Sequence, residues 1–256
     1  MYLWVKKMTY QEKFSTHMLM IENQALSSLL RAYLAAVTHL FETSRQGVTH
    51  LVGTSRQGVT HLVGTSRQGV THLVETSRQG VTQQIAQCQQ FAAFAASHAD
   101  VYQRTHPLGH FTASAWLVSQ DGARVLLTHH KKLGRWLQLG GHADGDSDLA
   151  NVALREAEEE SGLSGLTIIP EIFDLDAHDI PARGTVGAPN YEPAHIHWDV
   201  RFVVRASAEN FLVSEESLAL SWVDIATLAR DVNADASLVR MAEKWLRQQP
   251  RRHPSP

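Results

Sequence analysis

The sequence predicts an α/β sandwich preceded by an N-terminal helical extension. Three observations carry that prediction. Apolar residues recur every three and four positions early in the chain, as in Leu26, Leu29, Leu30, Tyr33, Leu34 and Val37, the period of a buried helical stripe. From Gly109 onward the texture changes to strands and turns, clearest in "HIHWDVRFVV". There Ile196, Trp198, Val200, Phe202 and Val204 face one way, and His195, His197, Asp199 and Arg201 the other. Between these strands stands a helix over Asp148–Ser161, and helices and strands in mixed order point to an α/β or α+β sandwich.

Taken along the chain, Thr9–Phe41 reads as helical. It is followed by "TSRQGVTHLVG" at Thr43–Gly53, repeated at Thr54–Gly64, again at Thr65–Glu75 with a final Glu, and in part at Thr76–Thr82. Near-identity between copies points to tandem duplication, because neighbouring copies in a packed core would meet different environments. Three conformations are open for it. A flexible insert fits the Gly in each unit and the β-branched residues; a helical extension fits the 11-residue period and the Val48, Leu51, Val52 patch; short β units are the third. His50, His61 and His72 read as copied surface residues in preference to metal ligands. Helix resumes at "QQIAQCQQFAAFAASHA" and is expected to end at Pro107. The strands "HFTASAWLVS" and "ARVLLTHH" are joined by the turn "QDG", "GLTIIPEIFDLDAHDI" reads as a further strand, and a tail helix covers Ala236–Gln248. This gives a helical extension at 1–42, a repeat insert at 43–82, a helix at 83–106, the α/β domain at 107–248 and a tail at 249–256.

The chain of 256 residues is 43% hydrophobic and 19% charged, enough apolar material for a core and too little charge for wholesale disorder. A net charge of −3 offers no global field for a nucleic-acid polymer. Cys88 is the single cysteine, so no internal disulfide forms, which fits a reducing compartment. No apolar run approaches the roughly 20 residues of a membrane span, and "MYLWVKKMTYQEK" is too short in apolar content for a signal peptide. The expected address is the cytoplasm, with Met1 or Met8 as the start. No homodimer interface is legible, although homodimers are common.

The helix ending in "ALREAEEESGL" carries the chemistry. At 100° per residue Glu156, Glu159 and Glu160 fall within an arc of about 100°, and their i+3 and i+4 relations make them neighbours. Ala150, Leu154 and Ala157 lie on another flank and suit a core contact, while Glu158 points to water. Like charges at these spacings cost roughly 0.2–0.5 kcal/mol per pair. Gly162 marks a left-handed cap, so the acids stand at the end of the helix where the macrodipole disfavours them. A hard divalent cation reverses both penalties, and oxygen ligands select Mg²⁺ or Mn²⁺; a solvated acidic face is the other reading of the charge pattern.

Gly141–Leu163 resembles the Nudix box, G-x5-E-x7-R-E-U-x-E-E-x-G-U, where U is a bulky aliphatic residue. Gly141, Arg155, Glu156, Glu159, Glu160, Gly162 and Leu163 are in register, seven of the nine defined positions, which makes the signal specific. "RWLQLGGHADGD" and "SEESLALSWVDI" extend the resemblance over roughly 109–248. Two positions depart from the pattern. Ser147 replaces the first glutamate and is expected to cap the helix, with a neighbouring aspartate pairing with Arg155; Ala157 replaces the aliphatic residue. The resemblance implies an α/β/α sandwich with a mixed sheet and a metal-dependent hydrolase cleaving the diphosphate of a nucleoside diphosphate derivative. It implies Glu159 and Glu160 as direct ligands of Mg²⁺ or Mn²⁺ with the Gly140 carbonyl nearby, Glu156 as ligand or orienter of the attacking water, and Arg155 as a brace. Glu192, Glu215 or Glu216 is left to supply the general base.

Further candidates lie outside the box. His129, Lys131 and Arg135, in "THHKKLGRW" with His130 and Lys132, are candidates for steering an anionic substrate. Trp136 reads as core in preference to a base-stacking platform. His195 and His197, two residues apart on one strand face, are read as substrate contacts in preference to a second metal site. "DGDSD" at Asp144–Asp148 lacks the sixth-position glycine of a calcium loop, since Leu149 stands there, and reads as a polar turn feeding a helix N-terminus. Pro181–Pro193, rich in Gly and Pro, reads as a substrate-selecting loop. The rival functions are a diphosphate isomerase, disfavoured because Cys88 is the only thiol, and a non-catalytic nucleotide-binding or regulatory module, which Ser147 keeps open.

Overall fold

The computed structural model describes residues 25–39, 63–188, 190–213 and 217–249, with side chains from residue 80 onward in the second of these segments. The chain divides into two compact units, Met1–Ser97 and His98–Pro256.

In the first unit residues 25–39 are helical (α1), and α2 runs over Val63–Ser97. Leu26, Leu30, Tyr33 and Val37 of the expected stripe are buried, with Cys88, Phe91 and Ala95 of α2 also buried. Leu29 and Leu34 are only partly covered. The Cys88 thiol donates to the Leu30 carbonyl at 3.2 Å, which ties α2 to α1. The repeats are helical from Val63 onward, and residues 43–62 lie outside the described segments. An 11-residue period is close to three helical turns, so successive copies can continue one helix despite a glycine in each. The helix ends at Ser97 rather than at Pro107, and residues 98–108 form turns closed by bonds such as Gln103 N–H to the Asp100 carbonyl at 2.9 Å.

The second unit is built on a seven-stranded mixed sheet. Its strands are β1 (Gly109–Val118), β2 (Arg124–His130), β3 (Arg135–Leu137), β4 (Leu139–His142), β5 (Thr167–Ile180), β6 (His195–Arg205) and β7 (Ser217–Asp224). They run in the order β3-β2-β1-β6-β5, with β4 pairing β1 and β7 pairing β2. Only β1 and β6 are parallel among these pairs, with His110 opposite His197 and Thr112 opposite Asp199. Strand β5 is bulged between Ile169 and Asp174, next to Pro170, which has no N–H to give the ladder.

Alternation along the strands separates two cores. On one face Ala115, Leu117, Leu139 and Val204 pack with Ala157 of α3 (Leu149–Ser161). On the other, Trp116, Val118, Phe173 and Val203 pack with Leu238, Met241 and Trp245 of α5 (Ala236–Gln248) and with Ile225 and Leu228 of α4 (Ile225–Leu228). Fully burying each such large side chain contributes roughly 1.5–3 kcal/mol. The sheet therefore has helices on both faces, the α/β/α sandwich expected from the sequence. Among the described residues no helix is long and apolar enough to cross a membrane.

Helix α3 differs in detail from expectation. Its N-cap is Asp148, which accepts the Asn151 N–H at 3.1 Å, and not Ser147. The carboxylate is the stronger acceptor and stands one residue nearer the first turn. Asp146 accepts the Asp148 N–H at 2.9 Å, so the acidic run is a turn leading into the helix. The buried stripe is Leu149, Val152, Ala153, Ala157 and Ser161; Ala150 and Leu154 sit at its margin. Gly162 closes the helix with φ 64°, its N–H bonded to the Glu158 carbonyl at 2.9 Å.

Candidate active site

The C-terminal half of α3 faces the double glycine of β4. Strand β4 lies against β1, with Gly140 opposite Ser114 and Gly141 opposite Ala113. The Gly140 N–H donates to Oε1 of Glu160 at 2.8 Å. A Cβ on Gly141 would stand 2.5 Å from the Glu156 carboxylate, so in its present position that acid lies where only a glycine leaves room for it. Glu156 and Glu160 are half-buried, whereas Glu158 and Glu159 are exposed. Arg155 pairs with Glu156 at 3.2 Å and with Glu159 at 3.9 Å. The expected aspartate partner for Arg155 is replaced by these two carboxylates of its own helix. Asp144 instead forms a two-pronged pair with Arg104, and that hydrogen bond holds its carboxyl below the usual range.

The other sequence candidates divide between two places. His129 lies on β2 opposite Trp136 of β3, Arg135 opens β3, and Lys131 is in the exposed turn between them. Arg135 reaches Asp235 at 3.4 Å. Trp136 is not in the core: it is 39% exposed, with its ring 5.2 Å from that of His129. Strand β3 is three residues long and stands at the end of the strand order, which leaves the ring partly open. His195 and His197 stand on β6, separated from that hairpin by β1. Among the base candidates, Glu192 lies 3.7 Å from His195 Nε2, and Glu215 and Glu216 lie outside the described residues. Within the glycine-rich loop Arg183 and Glu192 form an antiparallel bridge.

The polar side of β6 is covered. Asp199 and Arg201 are each 2% exposed. Arg201 contacts Asp199 at 2.7 Å, Asp176 at 3.1 Å and Asp174 at 3.5 Å. Arg240 of α5 reaches Asp174 at 2.7 Å and Asp176 at 2.9 Å. Thr112, Ser114 and Gln138 all donate to Asp199. Burial opposes the charge on Arg201, but Asp199, Asp176 and Asp174 outweigh it and hold its pKa above the ordinary value. Burial pushes the Lys244 ammonium down to about 8 despite Asp174 at 3.8 Å. The same face carries a group of histidines: His110 on β1, His142 on β4, His178 on β5, and His195 and His197 on β6.

Sequence reasoning missed His110, His142, His178, Asp174, Asp176, Arg240 and Lys244. Its one available signal was the period-two run Asp174, Asp176, His178, which matches His195, His197, Asp199, Arg201 on another strand. Strand register alone reveals that these two runs adjoin.

The model of the NUDIX domain matches residues 109–242, more than half of the 256-residue chain. No curated protein gives a match. Among solved structures, the chain is similar to a NUDIX-family hydrolase from Clostridium perfringens, with 26% identity, 55% of this chain and 98% of that one covered, and a TM-score of 0.40. It is also similar to a C. elegans Ap4A hydrolase in a binary complex, with 16% identity, 54% and 95% covered, and a TM-score of 0.40. A third is the NUDIX domain of Shewanella oneidensis NrtR complexed with ADP ribose, with 16% identity, 54% and 86% covered, and a TM-score of 0.36. With its box residues in register on β4 and α3 and the domain model matched over that length, the chain belongs to the NUDIX domain family.

Proposed function

We propose that the protein hydrolyses the diphosphate linkage of a nucleoside diphosphate derivative, with Mg²⁺ or Mn²⁺ held by Glu156, Glu159, Glu160 and the Gly140 carbonyl. The observation that carries this reading is the convergence of Glu156 and Glu160 on Gly140–Gly141. The donor set is all oxygen, which suits a hard dication. The Gly140 N–H holds Glu160 through its Oε1, which fixes that carboxylate beside the double glycine. The glycine at 141 provides the open approach to Glu156.

The residues divide the work. A bound dication supplies charge neutralisation of the diphosphate and a lowered pKa for attacking water. Glu156 orients that water or joins the ligand set, and Arg155, paired with Glu156 and Glu159, holds these carboxylates in place against their mutual repulsion. His129, Lys131 and Arg135, on and beside the exposed β2–β3 turn, draw in the anionic substrate. The catalytic unit is residues 107–248, and the repeats at 43–82 have no part in turnover.

The test is a panel of nucleoside triphosphates, nucleotide sugars, dinucleotides and coenzyme A derivatives, assayed with Mg²⁺, with Mn²⁺ and with chelator for phosphate-containing products. Metal-dependent turnover that disappears in Glu160→Gln supports the proposal. Tight nucleotide binding with no turnover under any metal overturns it in favour of a regulatory binding module.

A further inference from the structure

We propose that His110, His195 and His197 form a binding site for a transition-metal dication of the zinc class, separate from the carboxylates of α3. The ligand atoms of these three side chains all lie within 4.8 Å of one another. Tetrahedral Zn–N bonds of about 2.0–2.1 Å place ligand nitrogens roughly 3.4 Å apart. Small rotations of the rings close the difference.

The arrangement is built by the sheet. His110 and His197 are direct register partners across the parallel β1–β6 pair, and His195 is two residues before His197 on the same face. Their rings are 4.8 Å apart for His110 and His197, 4.9 Å for His110 and His195, and 5.1 Å for His195 and His197. His142, 5.0 Å from both His110 and His197, borders the fourth position, and the Glu192 carboxylate lies 3.7 Å from His195 Nε2.

This set is distinct from the box. Gly141 turns toward Glu156, so the next residue of the strand, His142, projects to the opposite face, where it meets His110.

The second observation is a set of buried ring nitrogens without hydrogen-bond partners. Both ring nitrogens of His110, and Nε2 of His195 and of His197, are buried with no hydrogen-bond partner among the described residues. Leaving buried polar atoms unpaired costs about 1–3 kcal/mol each. His195 shows how a ligand histidine is prepared: its Nδ1 is 2.9 Å from the Pro193 carbonyl, so Nδ1 carries the proton and Nε2 presents a lone pair to the cluster. Nitrogen donors without a carboxylate in the core set favour Zn²⁺, Co²⁺, Ni²⁺ or Cu²⁺ over Mg²⁺.

The test is equilibrium dialysis of the full chain against Zn²⁺ with excess Mg²⁺ present to occupy oxygen sites. One tightly held zinc per chain is expected. It persists in Glu159→Gln/Glu160→Gln and in the repeat variant His50→Gln/His61→Gln/His72→Gln, and is lost in His110→Phe and in His197→Phe. No uptake by the wild type, or uptake lost in the glutamate or repeat variant but retained in both phenylalanine variants, overturns the site. X-ray absorption of the zinc-loaded wild type decides the matter if those variants do not fold. Imidazole scattering in the zinc shell supports the proposal, and an oxygen-only shell refutes it. The diphosphatase assay reads the α3 carboxylates, so either proposal can fail without the other.

Discussion

The Gly140 amide donates to Glu160 Oε1 at 2.8 Å, so the acid proposed as a metal ligand also pins the strand that faces it. This separates two roles for the side chain. Glu160→Gln keeps a carbonyl oxygen that accepts the same hydrogen bond but loses the charge. The expected outcome is a fall in turnover by orders of magnitude with an unchanged melting temperature. An unchanged rate removes Glu160 from the site; a collapse of the fold assigns it a structural role instead.

Gly141→Ala tests the approach of β4 to α3. The added methyl lies 2.5 Å from the Glu156 carboxylate, the end of a mobile side chain, so Glu156 is displaced while the backbone stays. Activity is expected to fall at least about tenfold, a change of about 1.4 kcal/mol in the barrier, with near-wild-type stability in urea. Full activity means that the position of Glu156 is immaterial.

Arg201 is the keystone of the buried ion network, touching Asp174, Asp176 and Asp199. Arg201→Met leaves buried carboxylates undercompensated and is expected to cost about 3–5 kcal/mol in denaturant unfolding. Arg201→Lys, which keeps the charge without the planar fork, falls in between. A loss below about 1 kcal/mol, the worth of an exposed pair, contradicts this reading of the network.

Lys244 makes stability depend on alkaline pH. Its folded pKa is lowered to about 8 from an ordinary 10.5, with burial as the leading cause. Between those values the unfolded chain binds more protons than the folded one, so the contribution of this residue rises as pH increases from 8 toward 10.5. Below pH 8 the full penalty for burying the cation is present. The unfolding free energy of wild type minus that of Lys244→Met is therefore expected to climb over this window. A flat difference rejects the shift.

Deleting Thr43–Thr82 removes the repeats but retains Cys88, Phe91 and Ala95, the buried residues of α2. The family match begins at residue 109, outside the deletion. Turnover on the best substrate is expected to survive. Loss of activity or of soluble protein shows that the repeats support the catalytic unit.

Local signals were legible wherever chemistry follows from spacing along one element. The tail helix was read at Ala236–Gln248 as found, and Gly162 was recognised as the left-handed cap of α3. The reading failed where neighbours decide. Trp136 is half-open because its strand is a short edge, which no composition reveals. Asp148 took the cap from Ser147 because the first turn begins one residue later than the spacing suggested.

By itself the sequence determined the helical stripe of Glu156, Glu159 and Glu160, since positions three and four apart share a face in any helix. It also determined the alternation of β6, since side chains of a strand alternate whatever its partner. Only the tertiary structure decided what meets those faces. It set Gly140 and Gly141 of β4 against α3, and it aligned His110 with His197 by pairing β1 with β6 across more than eighty residues of chain. Strand pairing and helix docking are long-range choices made by burial and hydrogen bonding of the whole sheet. No local window of sequence contains both partners.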